Sequence, residues 1–394
     1  MTSPSPSSNA VMGLYAQPDL VLSRGAGCRV WDEDGKAYLD FTAGIAVTAL
    51  GHGAPVVAEA IRDALARGLI HTSNLFWTRP AMELAELLVE KSFPGKVFFC
   101  NSGAEANEAA LKFSRRWAGQ GGDPRRHEIL AFRGAFHGRL FGTLAATDRE
   151  AYQAPFRPLM PGVRFVDVGD VAGVEEALSS GRVAAVFVEP VQGEGGVRPV
   201  AGAFLRELRA LCDRHDALLV IDEIQCGLGR TGKLFAFQHA GVTPDMVTLA
   251  KPLAGGLPMG AVIAAPRVAD AMKPGDHGTT FGGGPLVASA ALAVMRTVCE
   301  PAFLAAVEKV SAHLVLGLEG VRSRVEAVKA VRGLGLLQGL VLDRPAGPVV
   351  ARARELGLLV VSAGADVVRL VPPLVVTETE VDEGLSLLEK ALVS

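Results

Sequence analysis

ALLVIDEIQCGLGRTG (residues 217–232) and MVTLAKPLAGGLPMG (residues 246–260) are the two segments that decide the fold of this chain. In each segment an apolar run ends at a charged residue, Asp222 in the first and Lys251 in the second. Such runs are typical of strands that are covered on both faces of a parallel sheet. Side chains at the carboxyl ends of these strands line the ligand crevice of an open α/β sheet. We therefore expect Asp222 and Lys251 to face the same pocket.

A carboxylate and an amine in one pocket have two interpretations. They could form a buried ion pair that only stabilises the edge of the sheet. Alternatively, the amine could bond to a carbonyl carbon while the carboxylate pairs with a protonated pyridine nitrogen. Those are the two groups that pyridoxal 5′-phosphate (PLP) needs from a protein. Other segments of the chain favour the second interpretation.

The composition is that of an ordinary globular protein without a strongly charged surface. The chain has 39 Lys and Arg against 42 Asp and Glu, and its net charge of -3 favours no nucleic-acid partner. Its five cysteines form no C-x-x-C pair, so we predict neither a zinc site nor a disulfide framework. The first residues lack the apolar stretch of a signal peptide, and no uninterrupted apolar run has the length of a bilayer. We therefore expect a cytoplasmic protein with reduced thiols and no membrane contact.

The order of the predicted elements indicates two domains. Short apolar runs alternate with helical patterns over residues 50–283, which predicts a large α/β domain with a mostly parallel sheet. Residues 284–394 begin with one long helical pattern over 285–319 and continue with strand signals, which predicts a smaller α+β domain. Residues 28–41 (CRVWDEDGKAYLDF) have the alternation and the Asp-Gly turn of a β-hairpin. We expect this N-terminal part, residues 1–49, to pack with the small domain.

Two glycine-containing segments are candidate phosphate sites. Residues 101–106 (NSGAEA) join a predicted strand to a helix predicted over 104–117, and backbone N–H groups at a helix start bind anions. Ser102 can donate to a phosphate oxygen, although Ser102 and Glu105 also match a simple capping box. Residues 277–284 (HGTTFGGG) can bind phosphate through hydroxyl and backbone N–H groups, or can form a hinge between the domains.

Four further residues are candidates for contact with a cofactor or substrate. Phe136 and Arg139 follow a predicted strand, where the ring can stack on a flat cofactor and the guanidinium can grip a carboxylate. The alternative is a core Phe and a solvated Arg. Glu194 lies among glycines, where it could neutralise an arginine or be a surface acid. Arg369 interrupts an apolar run, so it needs either a structural acid or a substrate carboxylate as its partner.

Residues 227–232 (GLGRTG) match the dinucleotide-binding pattern G-x-G-x-x-G but lack its context. That pattern should open a helix and be followed by an acidic residue about twenty positions later. No helical pattern follows here, and the expected position falls near Leu249 and Ala250. We therefore interpret the segment as a turn, which counts against a nucleotide-dependent dehydrogenase. The histidines show no metal-ligand spacing, so no metal cofactor is expected.

Taken together, these segments resemble the class-III PLP-dependent aminotransferases, and the resemblance covers about residues 11–389. Gly284 and Pro252 stand where Asn and Ala are usual in bacterial members of that family. The resemblance implies the fold type I of PLP-dependent transferases, with a large and a small domain. The motifs that carry it, in the right order, are NSGAEANEAALK (101–112), FHGR (136–139), EPVQGEGGV (189–197), DEIQCGLGRTGKLFA (222–236), LAKPLAGGLPMGA (249–261), HGTTFGGGPL (277–286) and VVRLVPPLVV (367–376).

The resemblance implies a homodimer that binds PLP in an active site at the subunit interface. Lys251 would be the attachment point of PLP, and Asp222 would pair with its pyridine nitrogen. Gln225 would contact the ring hydroxyl, and Phe136 would stack on the ring. Ser102, Gly103 and Ala104 would bind the phosphate, together with the partner subunit's Thr280.

The resemblance also implies transfer of the δ-amino group of N-acetylornithine to 2-oxoglutarate. Arg139, with Thr279 nearby, would hold the α-carboxylate of the donor. Arg369 would hold the α-carboxylate of 2-oxoglutarate, and Glu194 would pair with Arg369 in the other half-reaction. Ornithine, succinylornithine, 4-aminobutyrate and carrier-linked lysine are alternative donors. A PLP-dependent aminomutase and a cofactor-free binding protein are more distant alternatives.

Overall fold

The computed structural model describes residues 10–15 and 20–393, so residues 1–9 and 16–19 of the predicted N-terminal part lie outside the described residues. Its strands are, in chain order, β1 (Leu22–Ala26), β2 (Arg29–Asp32), β3 (Ala37–Asp40), β4 (Lys96–Cys100), β5 (Glu128–Phe132), β6 (Val163–Val166), β7 (Val183–Val188), β8 (Val191–Gln192), β9 (Arg198–Pro199), β10 (Leu218–Asp222), β11 (Met246–Leu249), β12 (Gly260–Ala264), β13 (Val328–Leu334), β14 (Leu337–Leu342), β15 (Leu358–Leu359), β16 (Val361–Ser362) and β17 (Val367–Leu370). Its helices are α1 (Ala43–Ala46), α2 (Pro55–Ala66), α3 (Arg79–Lys91), α4 (Gly103–Ala118), α5 (Phe141–Ala145), α6 (Glu150–Gln153), α7 (Val171–Ser179), α8 (Gly202–Arg214), α9 (Pro266–Ala269), α10 (Pro285–Val298), α11 (Pro301–Arg324), α12 (Ala346–Glu355) and α13 (Glu378–Val393).

Seven strands form the central sheet, in the order β4-β12-β11-β10-β7-β5-β6. Strand β12 runs antiparallel to β11 and β4, whereas the other neighbouring strands run parallel. Every residue of β7, β10 and β11 is buried because helices cover both faces of the sheet. The predicted α/β fold with a mostly parallel sheet is therefore confirmed.

The carboxyl ends of the parallel strands meet at one edge of this sheet. Strand β10 ends at Asp222, and Lys251 follows β11 by two residues. The segments that hold Ser102, Phe136 and Glu189 follow β4, β5 and β7 at the same edge. Chain segments far apart in sequence are thus brought together by strand direction alone.

The predicted long helix over residues 285–319 is wrong in one respect, because it is two helices. Helix α10 ends at Val298, and α11 begins at Pro301. Proline lacks a backbone N–H and its ring forces the preceding residue out of the helical region. Glu300 accordingly has an extended backbone, with φ of -65° and ψ of 126°. Apolar periodicity continues across this break, which is why the pattern alone did not show it.

A second core is formed by the C-terminal elements together with the N-terminal strands. Strands β13-β14-β17-β16 form one sheet, and β1-β2-β3-β15 form another, in which β3 pairs with β15. Leu39 and Phe41 are fully buried in this core. The hairpin predicted over residues 28–41 is present as antiparallel β2 and β3.

Helix α10 belongs to the core of the central sheet and not to the second core. Ala288, Leu292 and Met295 on its buried face join the same core as residues of α2 and α3. Along these two helices, Val307 in α11 is the first fully buried residue of the second core. We therefore propose that the large domain extends to about Val298, beyond the predicted boundary at residue 283.

Among the described helices, α11 alone has the length and mean hydropathy that would suffice to cross a membrane. Glu308 and Lys309 interrupt its apolar sequence, and Glu319, Arg322 and Arg324 lie near its C-terminal end. Its fully buried residues Val307, Leu314 and Leu318 recur at helical spacing and pack in the second core. Burial of this face accounts for part of the apolar composition of the helix, since 22% of its most apolar stretch is buried.

Removal of the Phe41 ring should weaken the packing of the N-terminal strands on the second core. Phe41 packs so closely on α13 that a Cβ atom at Gly384 would lie 2.5 Å from its Cε2 atom. Because Phe41→Ala leaves a cavity, we expect the free energy of unfolding to fall by about 3–5 kcal/mol. Urea denaturation followed by circular dichroism measures the change.

Leu22→Ala is the matched control in the same segment, because Leu22 is 48% exposed. We expect it to change the free energy of unfolding by less than about 0.5 kcal/mol. Equal effects of the two substitutions would contradict the packing described for Phe41.

Candidate active site

A cavity of about 360 Å³ opens at the carboxyl edge of the central sheet. Its volume lies in the range of small-molecule sites. Most of the residues predicted to form a site line this one cavity. They are Ser102, Gly103, Ala104, Phe136, Arg139, Glu194, Asp222, Gln225 and Lys251.

Lys251 presents an unpaired amine to this cavity. The side chain is half-buried, and its Nζ atom makes no hydrogen bond or ion pair with any residue in the described ranges. Burial lowers the pKa of Lys251, and the nearby charges of Glu194 and Asp222 offset this only in part. The amine therefore loses its proton at lower pH than an ordinary lysine does.

Asp222 is buried at the end of β10 and accepts three hydrogen bonds. Its Oδ2 atom accepts from Nδ2 of Asn107 at 2.7 Å and lies 2.8 Å from Nδ1 of His137. Its Oδ1 atom accepts from the backbone N–H of Ile224 at 3.0 Å. These donors hold the carboxylate in one orientation and compensate for the loss of water around it.

The donors to Asp222 are themselves held in place. Asn107 also donates to the carbonyl oxygen of His137 at 2.8 Å and accepts from the hydroxyl of Thr248 at 2.8 Å. Burial disfavours the charged imidazole of His137, but the hydrogen bond with Asp222 outweighs burial and raises the pKa of His137. Helix α4, strand β11 and the loop after β5 are thus joined to β10 through one carboxylate.

The start of helix α4 lines one part of the cavity through Ser102, Gly103 and Ala104. The Ser102 hydroxyl accepts from the backbone N–H of Glu105 at 3.2 Å, so the predicted cap is present. The N–H groups of the first helical turn have no acceptor within the helix and carry its positive dipole. A Cβ atom at Gly103 would lie 2.8 Å from Cγ2 of Ile224, so only glycine fits this approach.

The loop over residues 277–284 reaches the rim of the cavity from the side. The Thr279 hydroxyl accepts from Nδ2 of Asn101 at 2.9 Å, next to the start of α4. Thr280 is exposed and does not line the cavity of its own chain. Gly284 has a φ of -53°, and a Cβ atom there would meet nothing closer than 3.5 Å. This backbone would therefore also accommodate an Asn at that position.

Arg369 reaches the site from the second core and meets Glu194. It is 1% exposed on β17, and its Nη1 atom donates to Oε1 of Glu194 at 2.5 Å and to Oε1 of Gln225 at 3.0 Å. Burial disfavours the charged form of Glu194, but Arg369 outweighs burial and lowers the pKa of Glu194. The predicted contact between Arg369 and Glu194 is present. The Nε atom of Arg369 has no hydrogen-bond partner in the described part of the chain.

Arg139 is exposed at the mouth of the cavity and rests on aromatic rings. Its Cζ atom lies 3.5 Å from the centre of the Tyr152 ring and 5.9 Å from that of Phe136. It makes no hydrogen bond or ion pair with the residues that the structure describes. Its guanidinium donors are therefore free to bind an external carboxylate.

The sequence did not indicate the residues that position the predicted site residues, which are Asn107, His137 and Glu189. Asn107 lies inside a predicted helix and His137 inside the FHGR motif, but neither was assigned a role. Glu189 accepts from the backbone N–H groups of Phe136 at 2.9 Å and Gly193 at 3.2 Å, and burial raises its pKa. Only the polarity of Asn107 beside the apolar face of its helix could have indicated a buried partner.

The GLGRTG segment forms a turn, as predicted, and no α-helix starts at it. Arg230 within it is 2% exposed and donates to the carbonyl oxygen of Leu336 at 3.2 Å. Across the residues with described coordinates, no cluster of three His, Cys, Asp or Glu side chains could hold a metal ion.

Comparison with known proteins identifies relatives over nearly the whole chain. The family Aminotransferase class-III matches residues 14–392. An acetylornithine aminotransferase of Xanthomonas campestris pv. campestris is 49% identical over 385 residues, which is 96% of this chain and 94% of the relative.

Two solved structures have the same fold at substantial identity. An N-acetylornithine aminotransferase from Stenotrophomonas maltophilia K279a superposes with a TM-score of 0.85 at 43% identity, covering 96% of this chain and 97% of that one. An ornithine aminotransferase from Toxoplasma gondii, described with partial occupancy of PLP at its active site, has a TM-score of 0.93 at 34% identity. That superposition covers 98% of this chain and 92% of the other.

Replacing Lys251 should stabilise the ligand-free protein in a pH-dependent way. Because the folded state lowers the pKa of Lys251 below its ordinary value of 10.5, the unfolded chain binds more protons in the interval between the two values. Lys251→Met removes this cost. We expect the melting temperature of the ligand-free variant to exceed that of the native protein at pH 7, and the excess to shrink as the pH approaches 10.

Lys273→Met is the control, because Lys273 is an exposed lysine outside the cavity. We expect no pH-dependent gain from it. A Lys251→Met protein that melts at a lower temperature than the native protein at pH 7 would contradict the electrostatic description of the site.

Proposed function

The chain belongs to the class-III aminotransferases, and we propose that it transfers the δ-amino group of N-acetylornithine to 2-oxoglutarate. The products are N-acetylglutamate semialdehyde and glutamate, which places the reaction in arginine biosynthesis. One observation carries the proposal: Lys251 and Asp222 share a cavity with the unpaired Arg139 and with Glu194, and Glu194 pairs with Arg369 directly behind the cavity wall. The names of the relatives support the donor.

The residues of the cavity fit PLP, the cofactor of this family. The unpaired amine of Lys251 is the group that would attach PLP, and buried Asp222 would pair with its pyridine nitrogen. The free N–H groups at the start of α4, with Ser102, would bind the phosphate. Phe136 and Gln225 also line the cavity, where they would contact the ring and its hydroxyl.

When bound, PLP supplies the electron sink that makes a C–H bond beside the amino nitrogen acidic. Lys251 would move the proton, because its lowered pKa leaves more of the neutral amine at working pH. Asp222 would keep the pyridine nitrogen protonated, since an opposite charge within hydrogen-bond distance favours the charged form. The fixed orientation of Asp222 on Asn107 and His137 would maintain this contact throughout.

Two substrates with carboxylates in different positions need two different binding groups. Arg139 would hold the α-carboxylate of the donor, far from its reacting amino group, with Thr279 nearby. Arg369 would hold the α-carboxylate of 2-oxoglutarate, close to the reacting carbon. While the donor is bound, Glu194 would neutralise Arg369, so this buried cation would not remain unpaired.

We further propose a cytoplasmic homodimer with the active site at the subunit interface. Leu75, Phe76 and Trp77 are 72–89% exposed, and Phe281 beside Thr280 is 64% exposed. Such apolar surface is typical of a contact with another chain. A second copy would cover it and bring the exposed Thr280 to the phosphate end of the neighbouring cavity. The five cysteines are unpaired thiols, which supports a cytoplasmic location.

The donor is identified by following the visible absorbance of the PLP-loaded protein. We expect N-acetylornithine without a keto acid to bleach this absorbance and 2-oxoglutarate to restore it, because each substrate completes one half-reaction. Lys251→Ala should lose both the visible absorbance and nearly all turnover. Bleaching by ornithine or 4-aminobutyrate but not by N-acetylornithine would show that the proposed donor is wrong.

The separate role of Arg369 is tested with Arg369→Lys, which keeps the charge but loses the planar guanidinium. We expect kcat/KM for 2-oxoglutarate to fall about tenfold, which corresponds to one charged hydrogen bond. The value of kcat/KM for N-acetylornithine should be unchanged. Arg352→Lys on the exposed face of α12 is the control. An equal loss for both substrates would count against this division of roles.

A further inference from the structure

We infer that Tyr152 positions Arg139, and thereby sets where the carboxylate of the amino donor binds. The inference rests on the proposed function, in which Arg139 receives that carboxylate. It adds a residue for donor selection that lies outside all the sequence motifs described above.

The ring of Tyr152 is the main support of the Arg139 guanidinium. The distance of 3.5 Å from the Arg139 Cζ atom to the centre of the ring is that of direct contact between a cation and an aromatic face. Arg139 has no hydrogen bond or ion pair to other described residues that would hold it instead. A long, exposed arginine loses much rotamer freedom when it is fixed, so its location depends on this ring.

Tyr152 also contacts the residue proposed to stack on the cofactor. The rings of Phe136 and Tyr152 lie 6.5 Å apart with an interplanar angle of 88°. This edge-to-face arrangement is a favourable one for aromatic pairs. Arg139, Tyr152 and Phe136 therefore form one cluster, which sets the distance between the donor carboxylate and the ring-stacking position.

The short helix that carries Tyr152 is anchored to the rest of the site. Nη2 of Arg149 donates to the carbonyl oxygen of Glu194 at 2.6 Å. Nε2 of Gln153 donates to the carbonyl oxygen of Thr147 at 2.8 Å. The support for Arg139 is thereby fixed relative to the loop that holds Glu194.

The face of the Tyr152 ring, and not its hydroxyl, makes the contact with Arg139. The hydroxyl forms no hydrogen bond with any residue of the described ranges. Phenylalanine should therefore replace Tyr152 without loss, whereas a side chain without a ring should not. This difference separates positioning of Arg139 from a general effect of the substitution on packing.

The test compares two donors that differ only in the carboxylate, N-acetylornithine and N-acetylputrescine. Each half-reaction is followed by the loss of visible absorbance of the PLP-loaded protein, which records slow donors as well as fast ones. We expect Tyr152→Leu to lower the preference for N-acetylornithine over N-acetylputrescine about 5- to 30-fold, because the rate with N-acetylornithine should fall further than the rate with N-acetylputrescine. Tyr152→Phe should keep the native preference within about twofold. If the Leu variant folds poorly, Tyr152→Met, which also lacks a ring, serves in its place.

A double-mutant cycle with Arg139→Leu shows whether Tyr152 acts through Arg139. We expect Tyr152→Leu to have no further effect on donor preference once Arg139 is replaced. An equal loss with both donors would overturn the inference, because Tyr152 would then act through Phe136 or through folding. So would a Tyr152→Phe variant that behaves like Tyr152→Leu.

The same measurements separate this inference from the proposed function. A native protein that does not prefer N-acetylornithine over N-acetylputrescine would overturn the role of Arg139 and the inference with it. A native protein with that preference, unchanged in Tyr152→Leu, would overturn the inference alone.

Discussion

The hydrogen bonds to Asp222 are the interaction on which the rest of the site depends. A carboxylate buried at the end of a central strand must recover the hydrogen bonds that it loses with water. Asn107, His137 and the backbone of Ile224 supply them. These donors come from a helix, a loop and a turn, so satisfying one carboxylate fixes the relative positions of three segments.

The fold makes that arrangement possible through strand direction. Every parallel strand of the central sheet presents its carboxyl end to the same edge, so the loops that follow the strands converge there. Strand β12 lies between β4 and β11 and runs antiparallel to both, so its carboxyl end lies at the opposite edge of the sheet. The start of helix α4, Lys251 and Asp222 therefore face one cavity.

Arg369 is the one predicted site residue that comes from the second core, and it contacts Glu194 and Gln225 in the wall of the cavity. A guanidinium that is 1% exposed requires an acceptor, and Glu194 on a loop of the large domain provides it. This contact links the two cores directly at the site. In the proposed mechanism, the same contact is exchanged for a substrate carboxylate, so the link between the cores would change with each half-reaction.

Several elements could be predicted from the sequence because their signals are local. The strand over residues 96–100, the capped helix after Ser102 and the hairpin at residues 28–41 each carry their own apolar period, cap or turn. The helical pattern over 285–319 was misleading because its apolar face continues through Pro301 while the backbone does not. The packing of α10 on α2 and α3 could not be predicted from the sequence either, because an apolar helix face does not indicate which core it joins.

The sequence by itself determined the chemistry of this protein: a lysine, an aspartate, a capped helix start and two arginines in segments typical of one family. These are properties of residue type and near spacing, which the linear order preserves. Only the tertiary structure decided which residues position these reactive and substrate-binding side chains. Asn107 is 115 positions from Asp222, Glu194 is 175 from Arg369, and Tyr152 supports Arg139 through a ring face that no spacing encodes. Such contacts depend on how distant segments pack, and packing is a property of the whole fold.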